Sequence, residues 1–291
     1  MENQINFKCT LDKFEEIPES VANETGITFP EAHTKADKIS ILTKALKNYH
    51  KDSISRVPFC LTVEAEALGA DIKLGDEKIG PRVGEYAYKS IENSKNIKPI
   101  DFSTGRISEV LKAIEKLSSE GEEVALNVQG PFTIMSSLID PVLFYKAVRK
   151  DRAAVEAFME VICESIVQYA EDGLKRGAKI ISYGDSAGNI DILGPKMYKD
   201  FCGRYSYEVL KKIEGRLGKA FVHICGVTST SLNKSGFIKS TPIEIDKDMT
   251  YGDALKLITE LRKDVKLIGH NCLKRTTLKM KKPVVWKIEL I

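Results

Sequence analysis

From Asp101 onward, short apolar runs alternate with segments of helical length, and no other pattern in the chain restricts its fold as tightly. Arg106 to Leu117 reads as a helix, Val124 to Val128 as a strand ending at Gln129-Gly130-Pro131, and Pro141 to Val148 as a short helix. Ala153 to Leu174 repeats Val155, Met159, Ile162, Ile166 and Ala170 along one face, the spacing of an amphipathic helix. Lys179 to Tyr183 follows as a strand, Tyr198 to Leu217 as a helix, and Ala220 to Ile224 as a strand. Tyr251 to Leu261 is then a helix leading into the strand Val265 to Gly269. Strands separated by helices of this length predict βα units on a parallel sheet covered on both faces. The glycine-rich turn that opens a dinucleotide-binding sheet is absent, so the expected fold is α/β, a (β/α)8 TIM barrel. A chain of 291 residues suits one such domain, residues 1–291. Residues 1–50 are expected to form an N-terminal arm and a helix over Lys35 to Tyr49, and Val284 to Ile291 a terminal strand.

Charge and composition exclude several classes of function. Lys and Arg total 44 against 41 acidic residues, a net charge of +3, which argues against a nucleic-acid partner. The basic run Lys274-Arg275, Lys279, Lys281 and Lys282 lacks the interleaved aromatic residues that stack on bases and reads as a solvated face. No stretch reaches the roughly 18 apolar residues of a membrane span, and Met1 to Thr10 is polar where a signal peptide would be apolar. The six cysteines are scattered along a chain too long to need disulfide staples, so they are expected to be thiols in a reducing, cytoplasmic compartment.

The sharpest chemical signal is Phe221-Val222-His223-Ile224-Cys225-Gly226. Its two-residue spacing puts His223 and Cys225 on one side of a strand, at the C-terminal end where α/β barrels carry their reactive groups. His270-Asn271-Cys272 repeats the pattern after the next strand, so both pairs are expected at one rim. Imidazole and thiolate donors suit zinc; three leave a position open for substrate, whereas four close the site. Cys163 and Cys202 read as small buried hydrophobes.

Two further signals accompany it. Glu64 and Glu66 lie among apolar residues in Phe59 to Gly69, and burying a carboxylate costs several kcal/mol, roughly, unless it is paired or ligates a metal. One of them is expected in the site or a polar network and the other facing solvent; a first-turn place for Glu64 in a helix is the plainer reading. Gly184-Asp185-Ser186-Ala187-Gly188 is a strand-exit loop whose small residues let a ligand approach the backbone, or merely a turn. Glu64 and Asp185 are therefore catalytic candidates, and Asn127, Gln129, Tyr183 and Ser186 substrate-binding candidates.

These segments together resemble the uroporphyrinogen decarboxylase superfamily, and within it the corrinoid-dependent methyltransferases. The resemblance is carried by Phe29-Pro30-Glu31-Ala32-His33-Thr34, Val57 through Ala70, Gln129-Gly130-Pro131-Phe132-Thr133, Gly184 to Gly188 with Asp191-Ile192-Leu193-Gly194-Pro195, and His223-Ile224-Cys225-Gly226. It implies a barrel whose mouth holds the substrates and a zinc bound by His223, Cys225 and a later cysteine, for which Cys272 is the candidate. It also implies methyl transfer from a methylated corrinoid, presented by a separate partner protein, to a thiol such as coenzyme M or to a pterin. The chain ends soon after Cys272, so either the last barrel unit is abbreviated or Cys272 reaches the metal from an unusual position. A porphyrinogen-type decarboxylase and a non-catalytic, metal-stabilised partner of a corrinoid protein are the alternatives. The arginine-rich segment with which decarboxylases hold their substrate has no counterpart before Ile54 to Pro58.

Overall fold

A computed structural model describes Phe7, Cys9 and residues 17–291; the remainder of the expected N-terminal arm lies outside the described residues. Seven strands form the main sheet: β1 (Ser55–Val57), β2 (Val124–Gln129), β3 (Ile180–Gly184), β4 (Phe221–Cys225), β5 (Ile238–Glu244), β6 (Leu267–Asn271) and β7 (Val284–Leu290). Their order is β1-β2-β3-β4-β6-β7-β5. The first five positions run parallel, whereas β7 is antiparallel to both β6 and β5.

The helices expected from periodicity are present. Upstream of the sheet come α1 (Glu19–Thr25), α2 (Glu31–Thr34) and α3 (Ala36–His50). The short α4 (Val63–Ala67) follows β1, and α5 (Gly105–Ser119) leads into β2. After β2 come α6 (Pro131–Leu138), α7 (Pro141–Lys150) and the long α8 (Arg152–Lys175). Between β3 and β4 lie α9 (Ile190–Met197) and α10 (Gly203–Glu214); the helix expected from Tyr198 begins instead as a π-helical turn over Tyr198–Cys202. Then come α11 (Gly226–Lys234) and α12 (Tyr251–Leu261).

Alternation along the strands sorts two cores. Leu126, Val128, Ile181, Tyr183, Val222, Ile224 and Leu267 face one side and pack with α5, α8 and α10 in the larger core. Ala125, Ile180, Phe221 and Ile268 face the other and pack with Tyr251, Ala254, Leu255 and Ile258 of α12. The fold is therefore a mixed seven-stranded α/β sheet with helices on both faces. Eight parallel strands were expected; the described residues give five, and the physical reason is visible in the last third of the chain. There α12 takes the apolar face that in a closed barrel the strands' own side chains would fill, and β7 reverses direction beside β6. Strand β5 escaped the sequence reading because Pro242 sits within it, which an edge strand tolerates and a central one does not.

Candidate metal and thiol site

The strand register builds a polar floor above the second core. Asn127, Ser182 and His223 are aligned across β2, β3 and β4. One pleat further along, Gln129 is opposite Gly184, and Cys225 is opposite Asn271 on β6. A Cβ at Gly184 would stand 3.3 Å from that of Cys225, so glycine leaves room beside the thiol. Of these residues all but Asn271 line a cavity of about 370 Å³ at the C-terminal ends of the parallel strands, together with Ser186, Cys272, Cys9, Cys60, Arg56 and Lys274. No carboxylate lines it among the described residues.

His223 is buried, and its Nε2 is 2.9 Å from the Tyr251 hydroxyl on α12. Its Nδ1 has no hydrogen-bond partner. Burial holds the imidazole pKa down at about 4, so the ring is neutral at pH 7 and able to donate a lone pair. Burial also pushes the Cys225 and Cys272 thiols up, each opposed in part by backbone N–H groups two and three residues on for Cys225 and two on for Cys272. An orphaned neutral imidazole nitrogen and two thiols on one cavity are the donor types zinc prefers. As they stand, no three His, Cys, Asp or Glu side chains among the described residues are gathered so that they could hold a metal ion.

His270 does not join this group. The register slips between the pairs of His223 and Cys225, and His270 itself has φ of 57°, a left-handed conformation uncommon outside glycine. The turn sends its ring to the opposite face, with Nε2 2.7 Å from Ser240 and Nδ1 3.3 Å from Thr230, edge-on to Trp286. The expectation that both His-x-Cys pairs reach one rim thus holds for Cys272 and not for His270.

The two acidic candidates lie behind the cavity wall. Asp185 is fully buried, and its carboxylate accepts from the N–H of Phe132 at 3.2 Å and Thr133 at 2.8 Å, from the Thr133 hydroxyl at 2.9 Å and from Ser206 at 3.3 Å. It caps the first turn of α6, where the helix dipole favours a negative group. Gly130 is required by that approach, since a Cβ there would fall 2.3 Å from the Cβ of Asp185. Tyr183 borders the cavity, but its hydroxyl bonds Ser206 at 3.1 Å, on the helical side of β3. Asn127 donates to the Pro58 carbonyl at 2.9 Å, tying β2 to the segment after β1.

Glu64 is buried on α4, where its Oε1 accepts from the Gln129 N–H at 2.8 Å and its Oε2 has no partner. Of the two glutamates, Glu66 is the partly exposed one, and it pairs with the buried guanidinium of Arg106, which also donates to Thr62 at 2.8 Å. Burial raises the Glu64 pKa from 4.5 to about 7, against the Gln129 bond and the more distant Arg106 charge. A raised carboxyl pKa means the native state keeps a proton that the unfolded chain releases, so stability falls as pH rises from 4.5 through 7. Glu64→Gln is expected to flatten that fall by about 3 kcal/mol. Urea unfolding of both proteins at pH 5 and pH 8 reads the difference, and parallel profiles would assign the titration elsewhere.

Several cavity residues escaped the sequence reading. Lys274 belonged to a basic run read as a solvated face, Cys60 was read only as part of the segment Val57 through Ala70, and Arg56 and Cys9 carried no motif. Ser182 had a usable signal, because the alternation that aligned His223 with Cys225 also aligns it with Asn127. Tyr251 opened a predicted helix, with nothing local to announce its bond to His223.

Comparison with known proteins agrees with this layout. The uroporphyrinogen decarboxylase (URO-D) family pattern matches residues 15–278. The methylcobamide:CoM methyltransferase MtbA of Methanosarcina mazei is 29% identical over 211 residues, 72% of this chain and 62% of that protein. The methylcobamide:CoM methyltransferase MtaA of Methanosarcina barkeri is 29% identical over 219 residues, with the same shares. Each match thus spans about six-tenths of the curated relative. A solved methyltransferase from Methanosarcina mazei superposes with a TM-score of 0.63 at 23% identity, covering 71% of this chain and 60% of the other, which is a likeness of fold. A sheet with its reactive groups at the strand ends, and a family match over nearly all the described residues, place this chain in the uroporphyrinogen decarboxylase family.

Proposed function

We propose that the protein is a zinc-dependent methyltransferase that moves a methyl group from a methylated corrinoid, held by a separate partner protein, to a small thiol. The observation that carries this reading is the buried, neutral His223 with an unpartnered Nδ1, bordering the same cavity as the thiols of Cys225 and Cys272. The similarity to two methylcobamide:CoM methyltransferases supports it. In this reading His223, Cys225 and Cys272 hold the metal after side-chain rotation. Bound zinc would supply the Lewis acidity that makes the acceptor sulfur nucleophilic at neutral pH.

The chain's own groups have separable tasks. With Nδ1 as donor atom, the Nε2–H of His223 donates to the Tyr251 oxygen, which fixes tautomer and ring orientation. Arg56, which pairs with Asp52 at 3.7 Å, and Lys274 place two basic groups on the cavity wall, in keeping with a thiol that carries an anionic tail of the coenzyme M kind. Asn127, Gln129 and Ser186 offer amide and hydroxyl groups for orienting the acceptor. Asp185 and Glu64 position these groups from behind, through α6 and the Gln129 backbone. The five parallel strands would correspond to an abbreviated barrel, its last units replaced by α12 and the β7–β5 pair. Six unpaired cysteines suit a reducing cytoplasm, and no helix among the described residues is long and apolar enough to cross a membrane.

Supplying methylcobalamin and 2-mercaptoethanesulfonate tests the assignment: the methyl thioether is the expected product, detected by mass spectrometry. Carbon dioxide released from a porphyrinogen, with no thioether, would favour a decarboxylase; two lining cations make poor provision for a substrate with many carboxylates. Stable metal binding with neither product would favour a non-catalytic partner of a corrinoid protein. Tyr251→Phe is expected to weaken zinc binding by about tenfold or more through loss of the bond to His223, measured by competition with a chromophoric chelator.

A further inference from the structure

One wall of the cavity comes from the last part of the chain. Cys272, Leu273 and Lys274 all line it, on a 3-10 turn over Leu273–Arg275 that follows β6. Arg56 of β1 lines it as well. Three strands lie between β1 and β6 in the sheet order, so sheet pairing does not set the distance between these two parts of the wall. Backbone bonds hold the turn to α12 on one side: the N–H of Gly252 donates to the Thr276 carbonyl at 2.8 Å, and that of Tyr251 to the Leu278 carbonyl at 3.0 Å. On the other side stands Asp52, between the end of α3 and β1. The buried Thr276 donates its hydroxyl to Asp52 Oδ2 at 2.6 Å, and Arg56 pairs with the same oxygen at 3.7 Å. Asp52 Oδ1 accepts the N–H groups of Ser53 at 2.7 Å and Ile54 at 3.2 Å, which fixes the carboxylate on its own turn. Glycine at position 252 permits the close approach, since a Cβ there would fall 2.8 Å from Ser53 Oγ and 3.1 Å from the Thr276 carbonyl oxygen.

Burying a carboxylate is costly unless its oxygens are engaged, and the Asp52 side chain is only 2% exposed. Capping the turn before β1 takes one oxygen. The second, directed at Arg56 and Thr276, joins β1 to the segment that carries Cys272 and Lys274. We propose that Asp52 is a positioning residue for the acceptor: it sets Arg56 directly and the 272–274 turn through Thr276, so that two basic groups from distant strands meet one anionic tail at a fixed separation. This rests on the thiol-methylation reading above and adds to it two residues, Asp52 and Thr276, that do not line the cavity.

Thr276→Val removes the hydroxyl and keeps the shape of the side chain, and Thr276→Ser restores the hydroxyl. Methyl transfer from methylcobalamin by the zinc-loaded proteins is measured to 2-mercaptoethanesulfonate and to the uncharged 2-mercaptoethanol. Thr276→Val is expected to raise KM for the sulfonate about tenfold, the size of one hydrogen bond to a charged group, with kcat changed by less than about twofold. KM for 2-mercaptoethanol should change by less than about twofold, because that acceptor has no charge to place. Thr276→Ser should return the sulfonate KM to the parent value. Asp52→Asn still accepts from Ser53 and Ile54 but no longer pairs with Arg56, and should raise the sulfonate KM further. A second readout needs no activity: in the metal-free proteins, Thr276→Val should speed iodoacetamide alkylation of Cys272 about tenfold and leave that of Cys225 unchanged. Mass spectrometry of the digested chain follows each thiol separately, and near-ultraviolet circular dichroism checks that the fold is spared. Equal KM changes for the two thiols, or alkylation of Cys272 at the parent rate, would overturn the proposal and assign Asp52 to the fold alone. A parent chain that methylates neither thiol would overturn the methyl-transfer reading itself, and the alkylation contrast then decides the link from Asp52 to Cys272 independently.

Discussion

Replacing Cys225 with alanine is expected to lower thiol methylation by about 10³-fold or more and to abolish stoichiometric zinc binding. The size follows from the several kcal/mol that a Lewis acid contributes to such a step, at about 1.4 kcal/mol for each factor of ten. Cys225 ends β4 and stands at the N-cap of α11, where the N–H groups of Val227 and Thr228 favour its thiolate. Burial opposes them and prevails, so the thiol stays protonated until a cation arrives. In the proposed reading the substitution removes a metal donor. Cys225→Ser keeps the size and polarity of the side chain but is a poor donor for zinc. The serine variant is expected to melt near the parent temperature and to remain as inactive as the alanine one. Recovery of activity in the serine variant would show that metal binding is not what Cys225 provides.

Asp185→Ala is expected to destabilise the fold by about 3–5 kcal/mol while leaving the number of zinc ions per chain unchanged. The carboxylate has no exposure and satisfies two backbone N–H groups at the start of α6 together with two hydroxyls. Removing it strands the two backbone N–H groups in the interior, each at about 1–3 kcal/mol, whereas the hydroxyls are free to rotate. It also opens a hole beside Gly130, which has no side chain to fill it. Equilibrium unfolding in urea measures the loss. A variant of parent stability with no methyl transfer would return Asp185 to the reaction itself.

Much of the fold was legible because periodicity is a local property. The spacing of Val155, Met159 and Ile162 specifies α8 whatever surrounds it, and the run before Cys225 specifies β4. Closure of the sheet was not legible, because it is decided by pairings between distant segments. Nothing local in Val284 to Leu290 says that this strand lies antiparallel beside Leu267 to Asn271. Nothing in the amphipathic pattern of Tyr251 to Leu261 says which face of the sheet it covers.

The site divides in the same way. A spacing of two residues was sufficient for His223 and Cys225, since both belong to one regular strand. The same rule failed at His270, where a left-handed backbone and a slipped register turn the ring to the other face. Glu64 was singled out as a carboxylate in apolar company and Asp185 as part of a small-residue loop after a strand, and both are buried behind the cavity. Sequence could not say that their partners would be backbone N–H groups of α6 and β2.

The most direct test of the account is the zinc dependence of methyl transfer in the otherwise intact chain. Metal is removed with a chelator under reducing conditions and returned in steps, with the methyl thioether from methylcobalamin and 2-mercaptoethanesulfonate measured at each step. The account predicts negligible product without metal and a linear rise that ends at one zinc per chain. Undiminished transfer by the metal-free protein would contradict it.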